Sequence, residues 1–174
     1  MIKKKILTIP DPILRKISEP VKNVNQDIKN LLDDMLEAMY EAPGIGLAAV
    51  QIGVLKRAIV IDLSKEIKKK EPIFIVNPEI VSQSKNLVSY EEGCLSIPNQ
   101  FAEIERPNSC KIKFLNYNGE KKELQAEGLL ATCIQHEIDH LNGILFIDYL
   151  SKLKKDIIIK KVKKQKKEID RVIV

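Results

Sequence analysis

The sequence predicts an α+β fold: small antiparallel or mixed β-sheets around a central helix, with a scaffold helix near the N-terminus and a basic helix at the C-terminus. Three observations predict it. Ile28, Leu31, Leu32, Met35, Leu36 and Met39 recur at helical spacing, with Asp27, Lys29, Asn30, Asp33, Asp34 and Glu37 on the other face. The middle of the chain, residues 56–127, is a series of β-branched runs broken by Gly, Pro and Asn. Residues 129–141 form an amphipathic run containing His136-Glu137-Ile138-Asp139-His140, the HExxH pattern of a metal-binding helix.

With 174 residues and no linker, repeat or low-complexity boundary, the expectation is a single domain over 1–174, of which 151–174 is a basic tail. A hydrophobic content of 44% and a charged content of 30% describe a globular chain, and no apolar run reaches membrane-spanning length. Residues 1–7 begin like a secretion signal, but Pro10, Asp11 and Pro12 interrupt any apolar core for one. Three cysteines, an odd number, fit a reducing compartment, and the expected location is the cytosol. The net charge of +5 is modest, and its lysines crowd into residues 152–167.

In chain order, Ile13, Leu14 and Ile17 predict a short helical turn that ends before Pro20. Asn25 is the expected N-cap of the scaffold helix, whose Met35 and Met39 lie on its apolar stripe. Residues 43–53 are expected as a tight loop of small residues. The loop has neither a Gly-Lys-Ser/Thr ending nor a preceding strand, which argues against phosphate and dinucleotide loops. Residues 56–63 and 73–81 read as strands, with a charged loop at 65–71; Pro78 marks the second as an edge strand or a broken one. Residues 87–90 lead into a Gly-containing loop that carries Cys94. Strands follow at 101–106 and 109–117, and Asn118-Gly119 turns the chain into 120–127. Gly128 opens the central helix and Asn142-Gly143 closes it. Residues 144–149 form an apolar exit. The last segment is helical, with Leu153, Ile157, Ile158 and Val162 on a narrow stripe.

The chemistry centres on the helix. Residues four apart share a face, so His136 and His140, the only histidines, can point at one metal ion while Glu137 faces an activated water as its base. A buried helix face can also hold two histidines as core residues. For a third ligand two thiols compete. Cys133 shares the helix face, but three ligands at successive turns spread over about 10 Å along the axis, too far for one ion. Cys94, from a separate loop with Gly93 beside it, can close the set, leaving Cys133 as a pocket wall and Cys110 as a core thiol. Gln51 is the one polar side chain in its loop. It reads either as a packed residue or as a donor to a substrate carbonyl oxygen.

Three stretches stand in the order of one known family: Gly44-Ile45-Gly46-Leu47-Ala48-Ala49-Val50-Gln51, Glu92-Gly93-Cys94-Leu95-Ser96, and Gln135-His136-Glu137-Ile138-Asp139-His140. With the opening Leu7-Thr8-Ile9-Pro10-Asp11-Pro12-Ile13-Leu14-Arg15, the chain resembles peptide deformylase over nearly its whole length, in the bacterial type that ends in a helix. The resemblance implies removal of the formyl group from the N-terminal formyl-methionine of new polypeptides, with release of formate. It implies Cys94, His136 and His140 as metal ligands and Glu137 as general base, with Gln51 and the Leu95 N–H as oxyanion donors. The implied metal is Fe²⁺ in the cell, with Ni²⁺, Co²⁺ or Zn²⁺ able to substitute. Resemblance and helix face together suggest Ile45, Thr132, Cys133 and His136 as walls for the methionine side chain. Gly46 and Gly93 offer backbone pairing to an extended peptide. Glu92 and Arg106 are expected to brace the cysteine loop as an ion pair. Some bacterial relatives carry an Arg that touches the peptide where this chain has Phe101, which suggests a more apolar contact beyond methionine.

The lysine-rich tail reads as a solvated helix face or, by resemblance, as a contact with ribosomal RNA. It has no aromatic residue for base stacking, so sequence-specific nucleic-acid reading is not expected, nor is a membrane partner. Two other readings remain at this point. One is an HExxH zinc peptidase with a downstream carboxylate ligand from Asp148, Asp156, Glu168 or Asp170. The other is a non-enzymatic ribosome-binding module, which leaves the three motifs unexplained.

Overall fold

The computed structural model describes residues 5–64 and 69–172, and the side chains of 170–172 lie outside it. So do the first four residues of the signal-like start, part of the charged loop at 65–71, and the Asp170 carboxylate. The scaffold helix α1 is Gln26–Glu41, and the Asn25 side chain accepts from Ile28 N at 3.1 Å as its N-cap. Leu32, Met35 and Met39 are fully buried on its apolar face, each burial being worth about 2–3 kcal/mol.

The strands are β1 (Gly46–Ala48), β2 (Ala58–Ile61), β3 (Ile73–Gln83), β4 (Leu87–Cys94), β5 (Ile97–Pro107), β6 (Ser109–Leu115) and β7 (Lys121–Glu127). Five of them form an antiparallel sheet in the order β1-β2-β3-β6-β7, while β4 and β5 pair only with each other. Successive side chains of a strand face opposite ways. In β2, Ile59 and Ile61 therefore pack towards the central helix α2 (Gly128–Leu141), and Ala58 and Val60 towards α1. Both faces of the sheet are covered. A third cluster joins the β4–β5 hairpin, the short 3-10 turn Phe146–Tyr149 and the C-terminal helix α3 (Lys152–Val172) through Ile97, Ile104, Phe146, Ile158 and Val162.

Several local expectations change. Residues 43–53 are not all loop: β1 and a 3-10 turn, Ala49–Ile52, lie within them, because the small side chains let this stretch pair edge-on with β2. Of the two alternatives for β3, it is the broken strand and not the edge strand that is found, since it lies between β2 and β6. The missing N–H of Pro78 is absorbed by a shift in register between Val76 and Glu79, where Asn77 turns to φ 51°. The side chain of Asn77 compensates by bonding both backbone groups of Val21, at 2.8 and 2.7 Å. Cys94 ends a strand rather than sitting in a loop, with a register shift between Gly93 and Cys94 that re-aims it. The first helical turn stops at Arg15 and leaves Ile17 exposed. On α3 only Ile158 and Val162 of the expected stripe are buried. A helix laid on a hairpin covers one line of side chains, and Leu153 and Ile157 remain exposed.

Candidate metal centre and active site

α2 is the most enclosed of the three α-helices, with Ala131 to Ile138, His140 and Leu141 all buried. Its apolar residues pack on β1, β2 and the 3-10 turn after β1, while His136 and His140 are turned inwards against the β4–β5 hairpin and Glu137 lies against Gly46 of β1. The hairpin supplies Cys94. Its Sγ lies 3.2 Å from His140 Nε2, and one ligand atom each from Cys94, His136 and His140 falls within 4.8 Å of the others. Among the described residues, no downstream carboxylate joins such a group. Asp148, the first carboxylate after the motif helix, is engaged by Arg15, by Lys155 at 2.5 Å and by Leu145 N at 2.9 Å.

The surroundings orient these groups. His136 Nδ1 sits 2.8 Å from Glu92 Oε2; a carboxylate only accepts, so this nitrogen carries a proton, and Nε2 is the atom left to bind an ion on giving up its own. Glu92 is in turn forked by Arg106, Nε to Oε1 at 2.6 Å and Nη2 to Oε2 at 3.1 Å, with both side chains buried. Burial would raise the Glu92 carboxyl, but His136 and Arg106 outweigh it and hold it below the usual carboxylate range. Burial also keeps His140 neutral, well below the ordinary histidine value, helped by the charges of His136 and Arg106. For His136 burial acts downwards, and the Cys94 and Glu92 contacts carry it well above that value. The Glu137 carboxyl is pushed up to about 7 by burial, with Glu92 and Asp139 adding and His136 and Arg106 opposing. Its Oε2 has no hydrogen-bond partner.

Gln51 is buried in the turn after β1. Its Oε1 accepts from Ala48 N at 2.8 Å, which forces the NH₂ the other way, to Ser96 Oγ at 3.1 Å and Cys94 Sγ at 3.6 Å. The donor set fits a divalent cation: a soft thiol and two imidazoles converge, and a carboxylate with a free oxygen stands beside them.

Beside this cluster opens a cleft of about 550 Å³. Ile45, Gly46, Gln51, Glu92, Gly93, Cys94, Leu95, Phe101, Thr132, Cys133, His136 and Glu137 all line it. Arg106 stands behind it, bound to Glu92 and Asp139. Both glycines are close-approach positions. A Cβ at Gly46 would meet Glu137 Oε1 at 2.5 Å, and one at Gly93 would meet the Phe101 ring at 2.6 Å. The Phe101 side chain itself is 63% exposed at the mouth.

Some of the setting was not anticipated. Leu129 and Tyr90 also line the cleft. Helix spacing to Thr132 and strand alternation with Glu92 were signals that pointed to them. Phe146 stacks on His136 with ring centroids 6.3 Å apart, Asp139 holds Arg106, and Tyr149 bonds Asp139. Only Asp139, inside the motif, carried any local signal.

The chain matches the family model for polypeptide deformylase over residues 3–156. It is 61% identical over 171 residues to a peptide deformylase of Pelagibacter ubique (strain HTCC1062), covering 98% of each chain. To that of Rhizobium meliloti (strain 1021) it is 54% identical, covering 94% of each. Among solved structures, peptide deformylase from Ehrlichia chaffeensis in complex with actinonin superposes with a TM-score of 0.90 at 47% identity, over 95% of this chain and 98% of the other. A peptide deformylase from Legionella pneumophila gives 0.90 at 46% identity, over 97% and 98%.

Proposed function

The chain belongs to the polypeptide deformylase family and is an enzyme that deformylates N-formyl peptides; from that premise we propose which of its residues do the work. Cys94, His136 and His140 hold the metal ion on which the family depends. The observation that carries this is the convergence of their three donor atoms within 4.8 Å beside the unpartnered Glu137 oxygen. When bound there, a divalent cation supplies a Lewis acid that acidifies water and polarises a carbonyl oxygen. We take Fe²⁺ as the cellular ion, on the family resemblance, with Ni²⁺, Co²⁺ or Zn²⁺ compatible with the same thiolate and imidazoles.

Glu137 is the general base. Its buried Oε2 is open beside the cluster, so it can take a proton from the attacking water and return it to the departing amine nitrogen. Gln51 is locked by Ala48 N so that its NH₂ faces the cleft. That amide and the Leu95 N–H donate to the formyl oxygen as negative charge builds there; one such donor is typically worth about 3 kcal/mol. Arg106 and Glu92 keep His136 in the tautomer that offers Nε2.

The substrate is the N-formylmethionyl end of a new polypeptide. Ile45, Thr132, Cys133 and His136 enclose an apolar side chain, with Leu129 beside them. Gly46 and Gly93 let an extended backbone approach on either side, and Phe101 contacts the residues after methionine. The lysines along α3 other than Lys155 are exposed and suit contact with ribosomal RNA near the site of synthesis, with no sequence reading. The proposed setting is the bacterial cytoplasm, and no described helix is long and apolar enough to cross a membrane.

The test is formate release from formyl-Met-Ala-Ser by protein purified without oxygen and loaded with Fe²⁺ or Ni²⁺, beside Glu137→Ala and Cys94→Ala. Formate from the wild type alone is expected, with Cys94→Ala also failing to retain metal. A Cys94→Ala protein that keeps stoichiometric metal would overturn the ligand assignment.

A further inference from the structure

We propose that Tyr149 is a positioning residue for the metal centre, acting on His136 through Asp139, Arg106 and Glu92. This rests on the reading of His136 as a ligand. Tyr149 closes the 3-10 turn between α2 and α3, and its hydroxyl bonds Asp139 and Arg106 rather than a ligand. Its hydroxyl donates to Asp139 Oδ2 at 2.7 Å, and its ring lies over the Arg106 guanidinium, 4.9 Å from ring centroid to Cζ. Arg106 Nη1 donates to the same Asp139 oxygen at 2.8 Å and reaches the Tyr149 oxygen at 3.4 Å.

The arrangement solves a competition. One buried guanidinium serves two carboxylates, Glu92 with Nε and Nη2 and Asp139 with Nη1. Only the Glu92 fork bears on His136, because Glu92 Oε2 holds the imidazole at 2.8 Å. Any extra pull from Asp139 tilts the planar guanidinium off that fork. The Tyr149 hydroxyl takes up part of the Asp139 charge and relieves the pull. Its ring meanwhile covers the guanidinium, whose side chain is only 4% exposed, and keeps water from loosening the pairs. Packing does not account for a tyrosine here. The residue is 51% exposed, so its value to the protein lies in the hydroxyl and in the face it lays on Arg106.

The test uses the full-length, metal-loaded enzyme. Loss of Co²⁺ or Ni²⁺ to a chelator, kcat, KM and melting temperature are measured for wild type and Tyr149→Phe, with Asp148→Asn as a control. Asp148→Asn breaks the neighbouring ion pairs to Arg15 and Lys155 without touching the Arg106 network. Partners that orient metal ligands are typically worth about 10- to 100-fold in affinity or activity, and Tyr149 acts two contacts further out. Tyr149→Phe should therefore lose metal about 3- to 10-fold faster and show a similar fall in kcat. KM should change less than about twofold, while Asp148→Asn should lower the melting temperature and keep the wild-type rate of metal loss. Wild-type metal loss and kcat in Tyr149→Phe would overturn the proposal. So would metal loss as fast in Asp148→Asn as in Tyr149→Phe, which would trace the effect to the turn as a whole. Stoichiometric metal in His136→Ala would instead overturn the ligand reading beneath it.

Discussion

Gly46→Ala should damage catalysis while sparing the fold. A Cβ at this position would stand 2.5 Å from Glu137 Oε1, 3.1 Å from Cδ and 3.2 Å from Cγ. The first of these distances is well inside van der Waals contact, so either the β1 backbone or the carboxylate must move by a few tenths of an ångström to about 1 Å. β1 is fixed by its register with β2, Gly46 opposite Ile61, so the side chain should give way. A displacement of that size in a reacting group costs about 100-fold in rate, which is about 2.7 kcal/mol of transition-state stabilisation. Nothing comparable opposes folding. Gly46 has no positive φ, and replacing a strand glycine by alanine gains about 0.5–1 kcal/mol by restricting the unfolded chain. The assay is formate release at saturating formyl-Met-Ala-Ser, with metal content and melting temperature measured on the same preparation. The expected result is kcat down about 100-fold with metal content and melting temperature equal to or slightly above wild type. A variant with wild-type kcat would refute the placement of Glu137 as the base against this strand.

Other outcomes follow from the same geometry. Gln51→Leu removes the amide aimed past Ser96 into the cleft and should lower kcat about 100- to 1000-fold, readable in single-turnover assays; an unchanged rate would remove Gln51 from the reaction. Arg106→Met strands Glu92 and Asp139 without their shared cation and should cost about 3–5 kcal/mol in denaturant unfolding. Phe101→Ala should raise KM about 3- to 10-fold for formylated peptides with a large apolar residue after methionine and leave formyl-Met-Ala-Ser nearly unchanged, as expected for losing roughly 50 Å² of apolar contact. Burial acts to raise the Asp148 carboxyl, but the bonds from Arg15, Leu145 N and Lys155 outweigh it and hold it at about 2. Its folded value is thus below its unfolded one, so its stabilisation is present above about pH 4 and fades as the pH falls towards 2. The melting-temperature gap between wild type and Asp148→Asn, worth about 1 kcal/mol at most for so exposed a group, should close over that window.

Periodicity exposed the helices because their burial is one-sided over many residues: the α1 stripe, and the small-to-apolar run of α2 around its motif. Five of the seven strands were legible, but not their roles. Pro78 in β3 signalled either an edge strand or a break, and the break is what the structure has, between Val76 and Glu79. Here the Asn77 turn and the Val21 backbone absorb it, a long-range fit that no local window contains. The convergence of Cys94, His136 and His140 was legible because ligand chemistry restricts residue types, and because helix geometry made Cys133 a poor third partner for the two histidines. Phe146 and Tyr149 were not legible. Their contacts with His136 and Arg106 depend on how the chain doubles back after Gly143, and an aromatic in an apolar exit segment looks like ordinary core.

The two halves of the centre come from pieces that share no strand pairing. Cys94 belongs to a hairpin whose two strands pair only with each other, while His136 and His140 ride on the helix packed to the main sheet. On the ligand assignment proposed above, an ion bridging Sγ and Nε2 is a clasp between separately built parts. It closes a chain segment from residue 94 to residue 136, and its tightness adds directly to the work needed to pull the hairpin away. Chelation should then do more than silence the enzyme. It should lower the melting temperature and speed hydrogen exchange in β4 and β5 well before α1 or the main sheet responds, so that the hairpin becomes the hinge by which the molecule first comes apart.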